Sequence, residues 1–241
     1  MRILLPALIL AICDWVAVAT GVKKLEYVFK PLTLLAVIVT AFYAGVDHTV
    51  SGAGETPELR TWYFILAALA FSLLGDIFLM LPSDRFVPGL AAFLLAHICY
   101  VGAFNASFGH YRTYAVGAAV AVVSAMLFLR VRRGMVQKGQ TKLLVPVALY
   151  VIAITVMVTA AVGTSFTPAT DAEVVRGTLV RVDARYERAA PAAALGAILF
   201  YVSDALIGWT RFVRDFTQSR LAIMVTYHLG QMGFVVYVLR N

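Results

Sequence analysis

Runs of roughly 20 apolar, charge-poor residues recur from one end of this 241-residue chain to the other, and that recurrence limits what it can fold into. In hydrocarbon no water satisfies exposed peptide groups, so such a run is stable only as a helix that bonds its own backbone. With 61% of residues hydrophobic, 14% charged and a mean hydropathy of +0.86, the chain carries more apolar surface than a soluble core needs. The pattern predicts an all-α polytopic membrane protein, a single integral membrane domain over 1–241. Helices are expected at about 3–20, 29–46, 61–81, 87–107, 113–130, 143–163, 190–210 and 221–239. Ala17-Val18-Ala19 has the look of a signal-peptide cleavage site, but Asp14 interrupts the apolar run before it, which favours a retained first helix.

The breaks between runs carry turn chemistry: Gly21 with Lys23 and Lys24, Ser51-Gly52-Ala53-Gly54, Pro82-Ser83-Asp84-Arg85, and a basic stretch from Arg130 to Lys142. The formal charge of +7 lies mostly in these short loops, so it reads as a topology signal and not as a nucleic-acid surface. With eight spans, the loops after helices one, three, five and seven hold twelve Lys and Arg, against eight on the other side. The positive-inside rule then places both termini outside the cytoplasm, in what the compact loops suggest is a bacterial inner membrane. Residues 173–188 carry Val175, Leu179, Val182 and Tyr186 at helical spacing. They read equally as a surface-lying amphipathic helix or as an extension of helix seven. Cys13 and Cys99 fall inside apolar runs and read as packing residues.

Ionisable side chains inside a membrane are costly, so they face a bundle interior and often have a task. Asp14, Asp76, His97, Asp204, His228 and Gln231 all interrupt apolar runs. At ~1.5 Å per residue, Asp14, Asp76 and Asp204 fall within about two turns of the basic-loop ends of their helices. Tyr150, Tyr227 and His228 fall equally close to that face, Lys30 enters there, and His97 sits mid-helix. One polar chamber opening towards the basic loops would account for all of them. Leu74-Gly75-Asp76 followed by His97 and Tyr100 is also faintly echoed by Val202-Ser203-Asp204 followed by His228 and Gln231, as in a parallel repeat with its site at the interface.

Plainer readings stand beside these. His97 can be a core histidine bonded to a carbonyl, Asp14 can bond a neighbouring helix, and Tyr150 and Tyr227 can be interface aromatics. Asp76, in a run that is otherwise apolar, is the hardest to dismiss. Asp76, Asp204, His97 and His228 are acceptable metal ligands, but no HxxxH or HExxH occurs, and no metal or cofactor is expected. Walker A, GxGxxG and GxSxG motifs are absent too.

Tyr27-Val-Phe-Lys30-Pro31-Leu-Thr-Leu-Leu35, Ser72-Leu-Leu-Gly75-Asp76 through Pro82, Gly89 to Phe93 with Ala96-His97 and Tyr100, Phe200-Tyr-Val-Ser203-Asp204, and Tyr227 to Gln231 together resemble the YhhN-like lysoplasmalogenase family. The resemblance covers nearly the whole chain in order. It implies hydrolysis of the vinyl ether bond of lysoplasmalogens to a fatty aldehyde and glycerophosphocholine or glycerophosphoethanolamine, with no cofactor and no protein partner. By position it puts the polar core on Lys30, Asp76, His97, Tyr100, Ser203, Asp204, Tyr227 and Gln231. The loop before helix seven is longer than the family suggests, and Asp14 matches no motif of it.

That chemistry needs an acid to protonate the β-carbon of the vinyl ether, and a carboxylate to steady the oxocarbenium ion and activate water, the logic of a glycosidase pair. Asp76 and Asp204 fit as catalytic carboxylates, in either order. Tyr227 or His97 would orient the water, and Tyr150 would belong to the same site. Lys30, helped by Lys23 or Lys24, would meet the lipid phosphate. The alternative is a proton-coupled transporter or channel using the same Asp and His residues as a relay.

Overall fold

The computed structural model describes residues 2–50, 57–83, 85–104, 110–166, 172–175, 178–181 and 184–240. Eight α-helices make up nearly all of it: α1 (Leu5–Thr20), α2 (Lys23–Val50), α3 (Pro57–Met80), α4 (Phe86–Ala103), α5 (Tyr111–Gln137), α6 (Leu144–Gly163), α7 (Ala184–Phe212) and α8 (Ser219–Arg240). Seven of them, α2 to α8, are long and apolar enough to cross a membrane. The eighth, α1, has 16 residues and is preceded by the 3-10 turn Arg2–Leu4. Helix and turn together reach ~30 Å, the thickness of the hydrocarbon layer.

The expected helices are all present, and their ends differ where polar residues continue a helix beyond the apolar run. Helix α2 begins at Lys23 and α7 at Ala184, each six residues before its expected start, with Pro31 and Pro191 inside. A proline costs one backbone bond, which packed neighbours in a bundle compensate. Helix α5 runs through the basic stretch to Gln137 because Arg, Met and Gln are good helix formers. It stops before Gly139, whose φ of 69° suits a residue with no side chain. The surface helix considered for 173–188 is replaced over its first part by two short antiparallel strands, β1 (Ala172–Val175) and β2 (Thr178–Arg181), with Ala172 opposite Arg181. Val175, one of the residues that gave the helical spacing, and Thr178 are also strong strand formers. From Ala184 onward the extension of helix seven is what the chain forms.

Helices α2, α3, α4, α6, α7 and α8 pack in a closed ring, while α1 lies outside against α2 and α8, and α5 lies outside against α6 and α7. Of the seven long helices, α8 is the most buried and α5 the least. Lipid tails are as apolar as leucine, so close van der Waals packing and polar contacts hold such a bundle together. Small residues make that closeness possible. A Cβ on Gly196 would stand 2.9 Å from the carbonyl oxygen of Gly230, so α7 and α8 meet backbone to backbone. On α1, Leu5, Ile9, Ile12 and Val16 face outward while Ala7, Ala11, Asp14 and Ala17 are buried, which turns Asp14 inward.

Candidate active site

The ring brings the carboxylates of α3 and α7 to the same end of the bundle, four residues before the end of α3 and eight before the end of α7. Asp76 is buried. Its Oδ1 is 3.0 Å from Lys30 Nζ on α2, and its Oδ2 accepts a hydrogen bond from Tyr227 Oη on α8 at 2.7 Å. Only 7% of the Lys30 side chain is exposed, and its Nζ pairs with a buried carboxylate. A pair this deep needs both members, since either alone would leave an uncompensated charge.

Asp204 is held differently. Tyr150 Oη on α6 donates to its Oδ2 at 2.6 Å, and His97 Nε2 on α4 lies 3.5 Å from the same oxygen. The other ring nitrogen, His97 Nδ1, is 2.5 Å from the Phe93 carbonyl oxygen. A carbonyl only accepts, so Nδ1 carries a hydrogen, and Nε2 is the ring atom turned towards Asp204. Nε2 itself has no hydrogen-bond partner among the described residues. The carbonyl bond expected of a core histidine is present, and the same ring also stands beside Asp204.

Each carboxylate is thus met by a ring from the other helical hairpin: Asp76 of the α3–α4 pair by Tyr227 of α8, and Asp204 of the α7–α8 pair by His97 of α4. The two groups interact electrostatically. Phe200 stands between them, stacked on His97 with ring centroids 5.0 Å apart and tilted against Tyr227 at 5.5 Å. Deeper in, Tyr100 on α4 donates to the Gln231 side-chain oxygen on α8. Ser203 turns away from the carboxylates and donates to the Ile223 carbonyl at 3.2 Å, tying α7 to α8.

The single chamber expected from the sequence is resolved into two adjoining cavities. A polar one of about 470 Å³ includes Lys23, Glu26, Tyr27, Lys30, Arg211 and Arg220 in its wall. A narrow apolar slot of about 100 Å³ runs between α4, α5, α6 and α7, and carries Tyr150 and Asp204 in a wall of Phe, Leu and Val. Leu79, Phe86 and Ile207 line both, so the two meet there. Asp76 lies behind Lys30 and lines neither. Among the described residues no three His, Cys, Asp or Glu side chains gather as a metal-ligand set.

Two buried polar groups stand outside this arrangement. His228 Nδ1 accepts from Trp15 Nε1 at 3.1 Å, joining α8 to α1. Asp14 is buried, and among the described residues neither of its oxygens has a hydrogen-bond partner. The Trp15–His228 bond had no signal in the sequence, because Trp15 reads there as one more apolar residue. Glu26, Tyr27 and Arg220, which line the polar cavity, were likewise not among the expected site residues.

The profile of the YhhN family matches residues 25–238. Among curated relatives, a lysoplasmalogenase of Mycobacterium bovis is 31% identical over 201 residues, which cover 80% of this chain and 62% of that protein. Lysoplasmalogenase TMEM86B of Homo sapiens is 27% identical over 199 residues, 82% of this chain and 71% of its own length. The uncharacterized membrane protein YhhN of Escherichia coli O157:H7 is 37% identical over 75 residues, 31% of each chain. The chain thus spans somewhat less than two thirds of the mycobacterial relative. No solved structure matches it.

Proposed function

The chain belongs to the YhhN family, and from that premise we propose that it hydrolyses the vinyl ether bond of lysoplasmalogens, with Asp204 as the general acid. The observation that carries this reading is an acid in the right wall. Asp204, with His97 Nε2 3.5 Å away, faces an apolar slot that adjoins, at Leu79, Phe86 and Ile207, a cavity lined by Lys30 and other cations. A lipid laid across the two would put its alkenyl chain in the slot, its phosphate beside Lys30, and its vinyl ether near Asp204. The names of the mycobacterial and human relatives point to the same substrate, and they do not favour the transporter alternative.

The steps follow from the partners of each group. As general acid, Asp204 gives its carboxyl proton to the β-carbon of the vinyl ether, and the C=C pair becomes the new C–H bond. The oxygen lone pair stabilises the resulting oxocarbenium ion, and the carboxylate left on Asp204, with Asp76 behind it, steadies the positive charge. Water adds to the cation and gives up a proton to the Asp204–His97 pair. The hemiacetal then breaks its bond to the glyceryl oxygen, which leaves with a proton as the alcohol, while the hemiacetal hydroxyl loses one and becomes the aldehyde. One water is consumed and no net proton.

Tyr150 keeps Asp204 aimed at the slot, and Asp76 keeps Lys30 at the edge of the polar cavity and Tyr227 against Phe200. Tyr100, Gln231 and Ser203 hold α4, α7 and α8 in register around the site. The basic-loop face, where the polar cavity lies, is the cytoplasmic one in this reading. The test is aldehyde release from lysoplasmenylcholine and lysoplasmenylethanolamine by detergent-purified protein. Release that Asp204→Asn abolishes in folded protein supports the proposal, and no release from folded wild type with either headgroup overturns it.

A further inference from the structure

The polar cavity has a feature that a phosphate site alone does not require. Its charged lining consists of four cations, Lys23, Lys30, Arg211 and Arg220, and one carboxylate, Glu26. Glu26 takes both of its bonds from one nitrogen of Arg220, at 2.7 and 2.5 Å. The pair ties α2 to α8, but 54% of the Arg220 side chain is exposed, and an ion pair that wet contributes little to stability. In a pocket meant only for an anion, a carboxylate that occupies an arginine weakens the site.

Beside it stands Tyr27, 46% exposed, whose hydroxyl donates to the Met80 carbonyl at 2.6 Å. That bond links α2 to the end of α3 and holds the aromatic ring at the cavity wall. A fixed ring next to a carboxylate is how proteins recognise an ammonium group, through the negative face of the π system and the opposite charge. Glu26 and Arg220 together also present a negative and a positive charge side by side, the mirror image of a headgroup that carries a phosphate and an amine.

We propose that Glu26 and Tyr27 bind the ammonium end of a zwitterionic phospholipid headgroup while Lys23, Lys30 and Arg220 hold its phosphate, so that these two residues set headgroup specificity. The inference rests on the preceding reading of the site as one for a lysophospholipid. The two residues divide the task. A trimethylammonium has no N–H and depends on the Tyr27 ring, whereas a primary ammonium has three N–H donors for the Glu26 carboxylate.

The experiment measures kcat/KM of the full-length detergent-purified protein on three alkenyl lysophospholipids, with choline, with ethanolamine and with a bare phosphate as headgroup. Tyr27→Leu is expected to lower the choline substrate about two- to thirtyfold and the ethanolamine substrate less. Tyr27→Phe, which keeps the ring, retains the wild-type ratio of choline to ethanolamine turnover. Glu26→Gln is expected to lower ethanolamine more than choline and to raise the use of bare phosphate relative to both. If the variants change all three substrates by one common factor, or none, the inference is overturned while the hydrolase reading stands. If wild type releases aldehyde from none of them, the hydrolase reading fails. The same comparison is then made by thermal shift with glycerophosphocholine against glycerol 3-phosphate, where equal shifts in wild type and Tyr27→Leu overturn the inference.

Discussion

Replacing Asp204 by asparagine separates the acid from its scaffold. Tyr150 donates to Asp204 Oδ2 at 2.6 Å, and His97 Nε2 stands 3.5 Å from the same oxygen. Both partners meet the same oxygen, so an asparagine with its carbonyl there still accepts from Tyr150 and leaves His97 Nε2 without a hydrogen bond, as it is in the wild type. The fold should therefore keep its stability within about 1 kcal/mol, the scale of one exchanged hydrogen bond. The amide has no transferable proton, and loss of a positioned general acid costs about 10²–10⁴-fold in rate, or about 2.7–5.4 kcal/mol in the barrier. Thermal unfolding in detergent checks the first half, and aldehyde release under kcat/KM conditions checks the second. Turnover within about threefold of wild type, in protein that melts normally, would refute the assignment of Asp204 as the acid.

Other consequences follow from the same geometry. Lys30→Met leaves Asp76 buried without its cation and should cost about 3–5 kcal/mol in detergent unfolding, and adding Asp76→Asn to it should recover more than half. Gly196→Ala sets a Cβ 2.9 Å from the Gly230 carbonyl oxygen, which cannot turn aside as a side chain can, so it should lower stability by about 1–3 kcal/mol. Asp14→Asn, whose site touches neither cavity, should leave turnover within about twofold, the range of a substitution away from the chemistry. Between α7 and α8, the Asp215 carboxyl is held below the usual carboxylate range by hydrogen bonds from the Ser219 hydroxyl and the Phe216 N–H. Its contribution is present above the ordinary carboxylate pKa and lost as pH falls through the lower folded value, so Asp215→Asn should flatten the acid limb of the stability profile without changing activity at neutral pH.

The helices were legible because a membrane span has a length set by the bilayer, and each apolar run advertises it. Their ends were less so. Lys23 to Tyr27 and Arg130 to Gln137 are polar or mixed and look like loops, yet they continue α2 and α5 beyond the apolar zone. Asp76, Asp204 and His97 stood out because an ionisable group in hydrocarbon needs a reason, and Lys30 through the family resemblance. Which partner each would find was not legible. The contacts Lys30 to Asp76 and Trp15 to His228 join residues 46 and 213 positions apart, and packing between helices has no period along the chain. For the same reason one chamber was expected where the rings of Phe93 and Phe200 and the side chains of Leu79, Phe86 and Ile207 divide the space in two.

The central claim is that a proton from Asp204 reaches the β-carbon of a vinyl ether, and turnover in heavy water tests it most directly. Wild-type protein given lysoplasmenylcholine in D₂O should release a fatty aldehyde carrying one deuterium on the carbon next to the carbonyl, as mass spectrometry would read. An aldehyde released without that deuterium, or no aldehyde from folded protein, would contradict the account.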